Sequence, residues 1–106
     1  METQYLIDDK TLIIKITEEI DHHMVERLRR KADYEIERYI PRKVIFDFNN
    51  VSFMDSAGIG LILGRYKNIS SFGGKLEVIN ATDIVKKVLI MSGVNKLIDI
   101  NKEECA

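Results

Sequence analysis

Apolar residues follow two rhythms along this chain. Short runs rich in β-branched residues alternate with longer stretches in which apolar positions recur every three or four residues. Tyr5 to Ile7 and Thr11 to Ile16 are runs of the first kind, split by the turn-forming pair Asp8-Asp9. They predict a hairpin with strands over Gln4–Asp8 and Thr11–Thr17. The helical rhythm follows in Met24, Val25, Leu28, Ala32, Ile36, Tyr39 and Ile40, one stripe on a helix from His22 to Ile40. Asp21 is a good N-cap for that helix, and Pro41 ends it by removing an amide and clashing with the previous turn. Lys43 to Phe48 reads as a buried central strand. A second helix begins at Asp55 or Ser56, turns Ile59, Ile62, Leu63, Tyr66 and Ile69 inward, and closes at Phe72-Gly73-Gly74. Lys75 to Ile79 gives another strand. Thr82-Asp83 caps a third helix with the stripe Ile84, Val85, Val88, Leu89 and Met91, ended by Gly93, and Leu97 to Ile100 is a short last strand.

The order ββαβαβαβ is that of an α/β fold. Its sheet has about five strands, mostly parallel through right-handed crossovers, with an antiparallel edge from the opening hairpin and helices covering the sheet faces. No linker-like stretch, repeat or low-complexity segment interrupts the chain, so residues 1–106 are one domain.

Charge narrows the function. Sixteen basic side chains stand against 17 acidic ones among 106 residues, for a net charge of −1. A nucleic-acid binder needs a clustered basic excess to displace condensed counterions, so no nucleic-acid partner is expected. No apolar run approaches the ~18–20 residues of a spanning helix, and the Met1-Glu2-Thr3-Gln4 start is unlike a secretory signal. The single cysteine, Cys105, has no disulfide partner and suits a reducing compartment. The expectation is a small cytoplasmic domain with no membrane partner and no cofactor.

Several chemistries fail on spacing. His22 and His23, adjacent on a helix, point about 100° apart, and the chelating pair His22 and Glu26 leaves a zinc site half built. Arg27, Arg29, Arg30 and Lys31 are followed by Asp33, Glu35, Glu37 and Arg38, the mix of a solvated helix face. Gly58, Gly60 and Gly64 space a dinucleotide fingerprint one residue too long, with no acidic ribose partner after the next strand. A nucleophile elbow at Ser56 lacks the glycine two residues earlier, where Met54 stands. What remains is Phe53-Met54-Asp55-Ser56-Ala57-Gly58-Ile59-Gly60. Capping by Asp55 or Ser56 explains its start but not two glycines in the first turns, each of which costs about 0.5–1 kcal/mol against alanine. Two explanations stand side by side. Gly60 and Gly64, one turn apart, let the helix approach the sheet closely, or the small residues leave the Ser56 hydroxyl open to another protein's active site.

Those residues carry a resemblance over nearly the whole chain. With Glu19-Ile20-Asp21-His22-His23, the continuation Leu61-Ile62-Leu63-Gly64-Arg65-Tyr66-Lys67, Gly73-Gly74 and Met91-Ser92-Gly93, the sequence resembles the STAS-domain anti-sigma factor antagonists of spore-forming bacteria. It is most similar to their sporulation members, which act in the sigma F pathway on the first forespore sigma factor. The resemblance implies a phosphorylation switch and not an enzyme. Ser56 holds the position phosphorylated by the anti-sigma factor, itself a serine kinase. The unphosphorylated form binds that kinase and releases the sigma factor, and a metal-dependent serine phosphatase restores it. Asp21, in the loop before the first helix, is implied to lie beside the switch and touch the kinase, with Asp55, Ala57 and Gly58 around the serine. Leu61 and Arg65, placed on the helix face away from the apolar stripe, are expected as further docking contacts. A stress or biofilm sigma pathway, or an enzyme using Asp55 and Ser56, are the competing assignments.

Three departures from the family pattern stand out. Glu18 replaces a frequent glycine, Ala57 replaces a frequent second serine, and Asn101 to Ala106 leave room for only about one turn of the family's final helix. A phosphate on Ser56 would add about −1.5 to −2 charges at a helix N-terminus that tolerates an anion, so its effect is expected at the partner's surface and not in the domain's own fold.

Overall fold

The computed structural model describes residues 1–101. The tail at 102–106, expected to add about one helical turn and carrying Cys105, lies outside the described residues. Strands β1 (Glu2–Leu6), β2 (Thr11–Lys15), β3 (Lys43–Asp47), β4 (Lys75–Ile79) and β5 (Asp99–Asn101) alternate with helices α1 (Val25–Tyr39), α2 (Ser56–Ser70) and α3 (Asp83–Ser92). They form one five-stranded sheet in the order β1-β2-β3-β4-β5, antiparallel between β1 and β2 and parallel thereafter. No helix among the described residues is long and apolar enough to cross a membrane.

Strand order and sequence order coincide, so every crossover steps the same way, and right-handed connections then put the helices on one face. The burial pattern agrees. Leu12, Ile14, Val44, Phe46, Leu76 and Val78 are buried, whereas their alternating neighbours Ile13, Lys15, Ile45, Asp47, Glu77 and Ile79 are half-buried on the opposite face. The helices pack on that buried face, so the domain has two layers. Its core joins the buried strand residues to Leu28, Ala32 and Ile36 of α1, Leu61, Ile62 and Ile69 of α2, and Val85 and Leu89 of α3. Stacking of Tyr5 on Tyr39, with ring centroids 4.2 Å apart, ties the edge hairpin to the end of α1.

Several boundaries and stripes differ from the sequence expectation. β1 starts two residues earlier and ends at Leu6, because the turn runs to Lys10, which sits in the left-handed region at φ 50°. α1 starts at Val25, since Asp21 caps a turn ahead of the helix. Ile40 is 56% exposed and not in the core; the proline after it disfavours helical geometry, and at φ 44° it turns the chain away. Ile84 and Met91 are 57% and 80% exposed, leaving Val85 and Leu89 to anchor α3. The last strand begins at Asp99, two residues later than expected, because Leu97 N and Ile98 N still donate to Val94 O at the end of a 3₁₀ turn over Val94–Lys96. On α2, Ile59, Leu63 and Tyr66 are only half-buried, and the buried side is Gly58, Leu61, Ile62, Arg65 and Ile69.

The glycines of α2 also divide differently. A Cβ at Gly60 or Gly64 would find open space, so neither permits a close approach to the sheet. Gly58 does permit one, because a Cβ there would overlap Met54, which is 1% exposed. Gly58→Ala is therefore expected to lose about 1–3 kcal/mol of stability through overpacking. Gly64→Ala should gain about 0.5–1 kcal/mol from helix propensity alone, and urea denaturation of the two variants checks the contrast.

On the open sheet face, Lys43 Nζ lies 2.6 Å from Glu77 Oε2, and Asn101 donates to Glu77 Oε1 at 3.0 Å. Burial pushes the Glu77 carboxyl up, but Lys43 and Asn101 outweigh it and hold the group below its ordinary value of 4.5. Its stabilising effect is full above the unfolded value and fades as pH falls toward the lower folded one. Glu77→Gln is thus expected to flatten the loss of stability below about pH 4.5, measured as the urea midpoint at successive acid pH values.

Candidate functional site

The parallel strands all point their C-terminal ends to one edge, and there α1 and α2 begin. Beyond β2 and β3 the two chains stay together through a parallel bridge between Ile20 and Met54, both buried. Glu19 closes the same gap from outside, its Oε1 accepting from Ser52 N and Ser52 Oγ at 3.0 Å each. Asp21, which follows Ile20, is thereby brought alongside Asp55, which follows Met54.

Each aspartate is spent on backbone amides. Asp21 Oδ1 accepts from His23 N and Met24 N, both at 2.9 Å. Asp55, extended at φ −116° and ψ −163°, is the N-cap of α2, with Oδ1 accepting from Ala57 N at 2.9 Å. The cap is therefore the aspartate and not the serine. Ser56 stands at the first helical position, exposed, and Phe53, three residues earlier in the chain, is 57% exposed. No described residue bonds to the Ser56 hydroxyl. The dipole of α2 points toward it, which suits a group that becomes negative there.

Of the expected site residues, Asp21, Asp55, Ser56 and Ala57 share this surface. Gly58 does not, being buried under the helix against Met54. Leu61 and Arg65 were expected on the outward face of α2, and the structure corrects that placement. They are 2% and 7% exposed, because α2 packs this side against α1. They form one wall of a cleft of about 270 Å³ whose other wall is His22, Glu26 and Arg29 of the α1 region, and Ser56 and Gly60 lie along it.

The charges of this cleft were not separable from a solvated face in the sequence. Asp33, half-buried, accepts Arg65 across the helix pair, with Nε 2.7 Å from Oδ1, and Asn68 Nδ2 donates to the same oxygen at 3.4 Å. Arg65 Nη1 donates to Leu61 O at 3.3 Å. Burial pushes the Arg65 guanidinium below its ordinary value, while the charge of Asp33 opposes the shift. Arg29 bridges Glu26 and Asp33, with Nε 3.1 Å from Glu26 Oε2 and Nη1 3.4 Å from Asp33 Oδ2. The signal available in the sequence was the spacing of Arg65, four residues from both Leu61 and Ile69, which puts all three on one side of the helix.

Comparison with known proteins places this geometry. The chain is 38% identical over 93 residues to the anti-sigma F factor antagonist of Paenibacillus polymyxa, covering 88% of this chain and 80% of that protein. It superposes on the anti-sigma factor antagonist SpoIIAA in its unphosphorylated form with a TM-score of 0.80 and 31% identity, over 97% of this chain and 89% of that one. The phosphorylated form of the Bacillus cell fate determinant SpoIIAA superposes at 0.72 with 30% identity, over 97% and 92% of the two chains. The STAS domain model matches residues 2–104. An exposed serine behind an aspartate cap, on the βα edge of a five-stranded mixed sheet, is thus carried here by a chain that belongs to the STAS domain family.

Proposed function

We propose that this chain is an anti-sigma factor antagonist switched at Ser56. Its unphosphorylated form binds an anti-sigma factor that is also a serine kinase and so frees a sporulation sigma factor. Phosphorylation of Ser56 by that kinase ends the binding, and a metal-dependent serine phosphatase restores it. The observation that carries this reading is the exposed Ser56 hydroxyl at the first position of α2, with its cap supplied separately by Asp55. Relatives named as anti-sigma factor antagonists, one of them known in a phosphorylated form, support it.

The physics of the site explains how such a switch acts. Asp55 already occupies the Ala57 amide, so the serine is not needed to hold the helix, and its modification leaves the fold intact. The acceptor oxygen gives up its proton and takes a phosphoryl group from ATP, with ADP as the leaving group. The nucleotide, the metal and the catalytic groups belong to the kinase. The added charge of about −1.5 to −2 then sits among Asp21 and Asp55, on the surface where the partner docks. A loss of about 3 kcal/mol in binding lowers affinity more than a hundredfold. Exposed Phe53 gives the same surface an apolar anchor.

Ser56→Ala should take up no phosphate from the cognate kinase and ATP, by intact-mass measurement, while still binding that kinase. Ser56→Asp should bind it at least tenfold more weakly in a titration, with an unchanged melting temperature, since the carboxylate meets a helix N-terminus that accepts it. Wild-type affinity in Ser56→Asp would count against the charge mechanism, and phosphate uptake by Ser56→Ala against the site.

A further inference from the structure

Beyond supplying the acceptor hydroxyl, this chain holds cations positioned to take up the phosphate itself. The cleft between α1 and α2 runs from Ser56 past His22 and Arg29 to Arg65. Arg65 is more than nine-tenths buried on the cleft wall, its Nε ion-paired to Asp33 Oδ1 at 2.7 Å and its Nη1 donating to Leu61 O at 3.3 Å. Its charge is committed to Asp33, so the cation free to take up an anion in this cleft is the other arginine.

Arg29 has the freedom that Arg65 lacks. Its side chain is 44% exposed, and each acid it touches has a second basic partner. Glu26 also faces Arg30, with Nε 3.4 Å from Oε1, and Asp33 also faces Arg65. Withdrawing Arg29 therefore strands neither carboxylate, and a phosphate dianion is the stronger bidentate acceptor for a guanidinium.

We propose that the α1–α2 cleft receives the phosphate of phosphorylated Ser56, with Arg29 leaving Glu26 and Asp33 to pair with it. The proposal rests on Ser56 being the modified residue. The phosphorylated domain is then held by its own ion pair across α1 and α2, and the surface shown to the partner changes in shape as well as charge. His22, Arg29 and Arg65 favour the dianion in this site. Asp21, Asp55, Glu26 and Asp33 oppose it, Glu26 and Asp33 being partly neutralised by Arg30 and Arg65.

The test is a ³¹P NMR titration of the full chain with phosphoserine installed at position 56 during translation, so that no kinase is involved. An ordinary phosphoserine loses its second proton near pH 6. In the wild-type background this ionisation should fall below about 6, and Arg29→Gln should raise it by about half a unit or more. Arg27→Gln, which removes an equal charge from the same helix at an exposed side chain that does not line the cleft, should leave it unchanged. An ionisation at or above 6, or equal values in the Arg29 and Arg27 variants, would overturn the proposal. The same phosphorylated protein separates the two readings when titrated with the anti-sigma partner. Lost binding with an unshifted ionisation removes the cleft and keeps the switch, whereas retained binding removes the switch.

Discussion

Met54 is held from two sides. Ile20 pairs with it in an isolated parallel bridge, and the backbone of Gly58 lies over its side chain where any Cβ would collide. Through these contacts a buried side chain fixes the direction in which α2 leaves the sheet, and with it the position of the first helical residue. Asp55 then completes the helix start with its own carboxylate. The serine that follows is left in a rigid place with no structural duty of its own. A chemical group can be added there without altering the fold because the fold has been secured one residue earlier.

The second support of the site is electrostatic. Asp33 gathers Arg29, Arg65 and Asn68 between two helices that otherwise meet through apolar side chains. A half-buried carboxylate with several donors sets the register of α1 on α2 more narrowly than interchangeable aliphatic contacts do, since a sliding step would separate charges in a poorly hydrated space. The cleft beside the serine lies on this same helix pair, with Arg29 and Arg65 on its walls.

Much of this was legible in the chain, for identifiable reasons. Strands such as Lys43 to Asp47 and helices such as the one holding Leu28, Ala32 and Ile36 have strong periods and clear punctuation, so the element order and the mixed sheet followed directly. The Asp55-Ser56 start of α2 was readable as a cap, although sequence alone left open which residue accepts the amide. The rotation of α2 was not readable. Apolar residues occupy most of its surface, so the pattern places Ile59, Leu63 and Tyr66 inward as readily as Leu61, and only the pairing of Arg65 with Asp33 decides the orientation. For the same reason Ile84 and Met91 could be taken as core, when α3 needs only Val85 and Leu89 to attach. Individual glycines were equally ambiguous, because spacing says nothing of what stands opposite each one.

The emptiness around Gly60 has an implication for circuits that use several such domains in one cell. This position lies on the cleft wall with Ser56, and a methyl group added there would meet no neighbour within 4 Å. A methyl there would narrow the mouth of the cleft and be felt by a protein docking on it. Paralogous pathways can therefore be insulated from one another by varying a single position, with crosstalk suppressed by steric rejection while the scaffold that presents the serine stays the same.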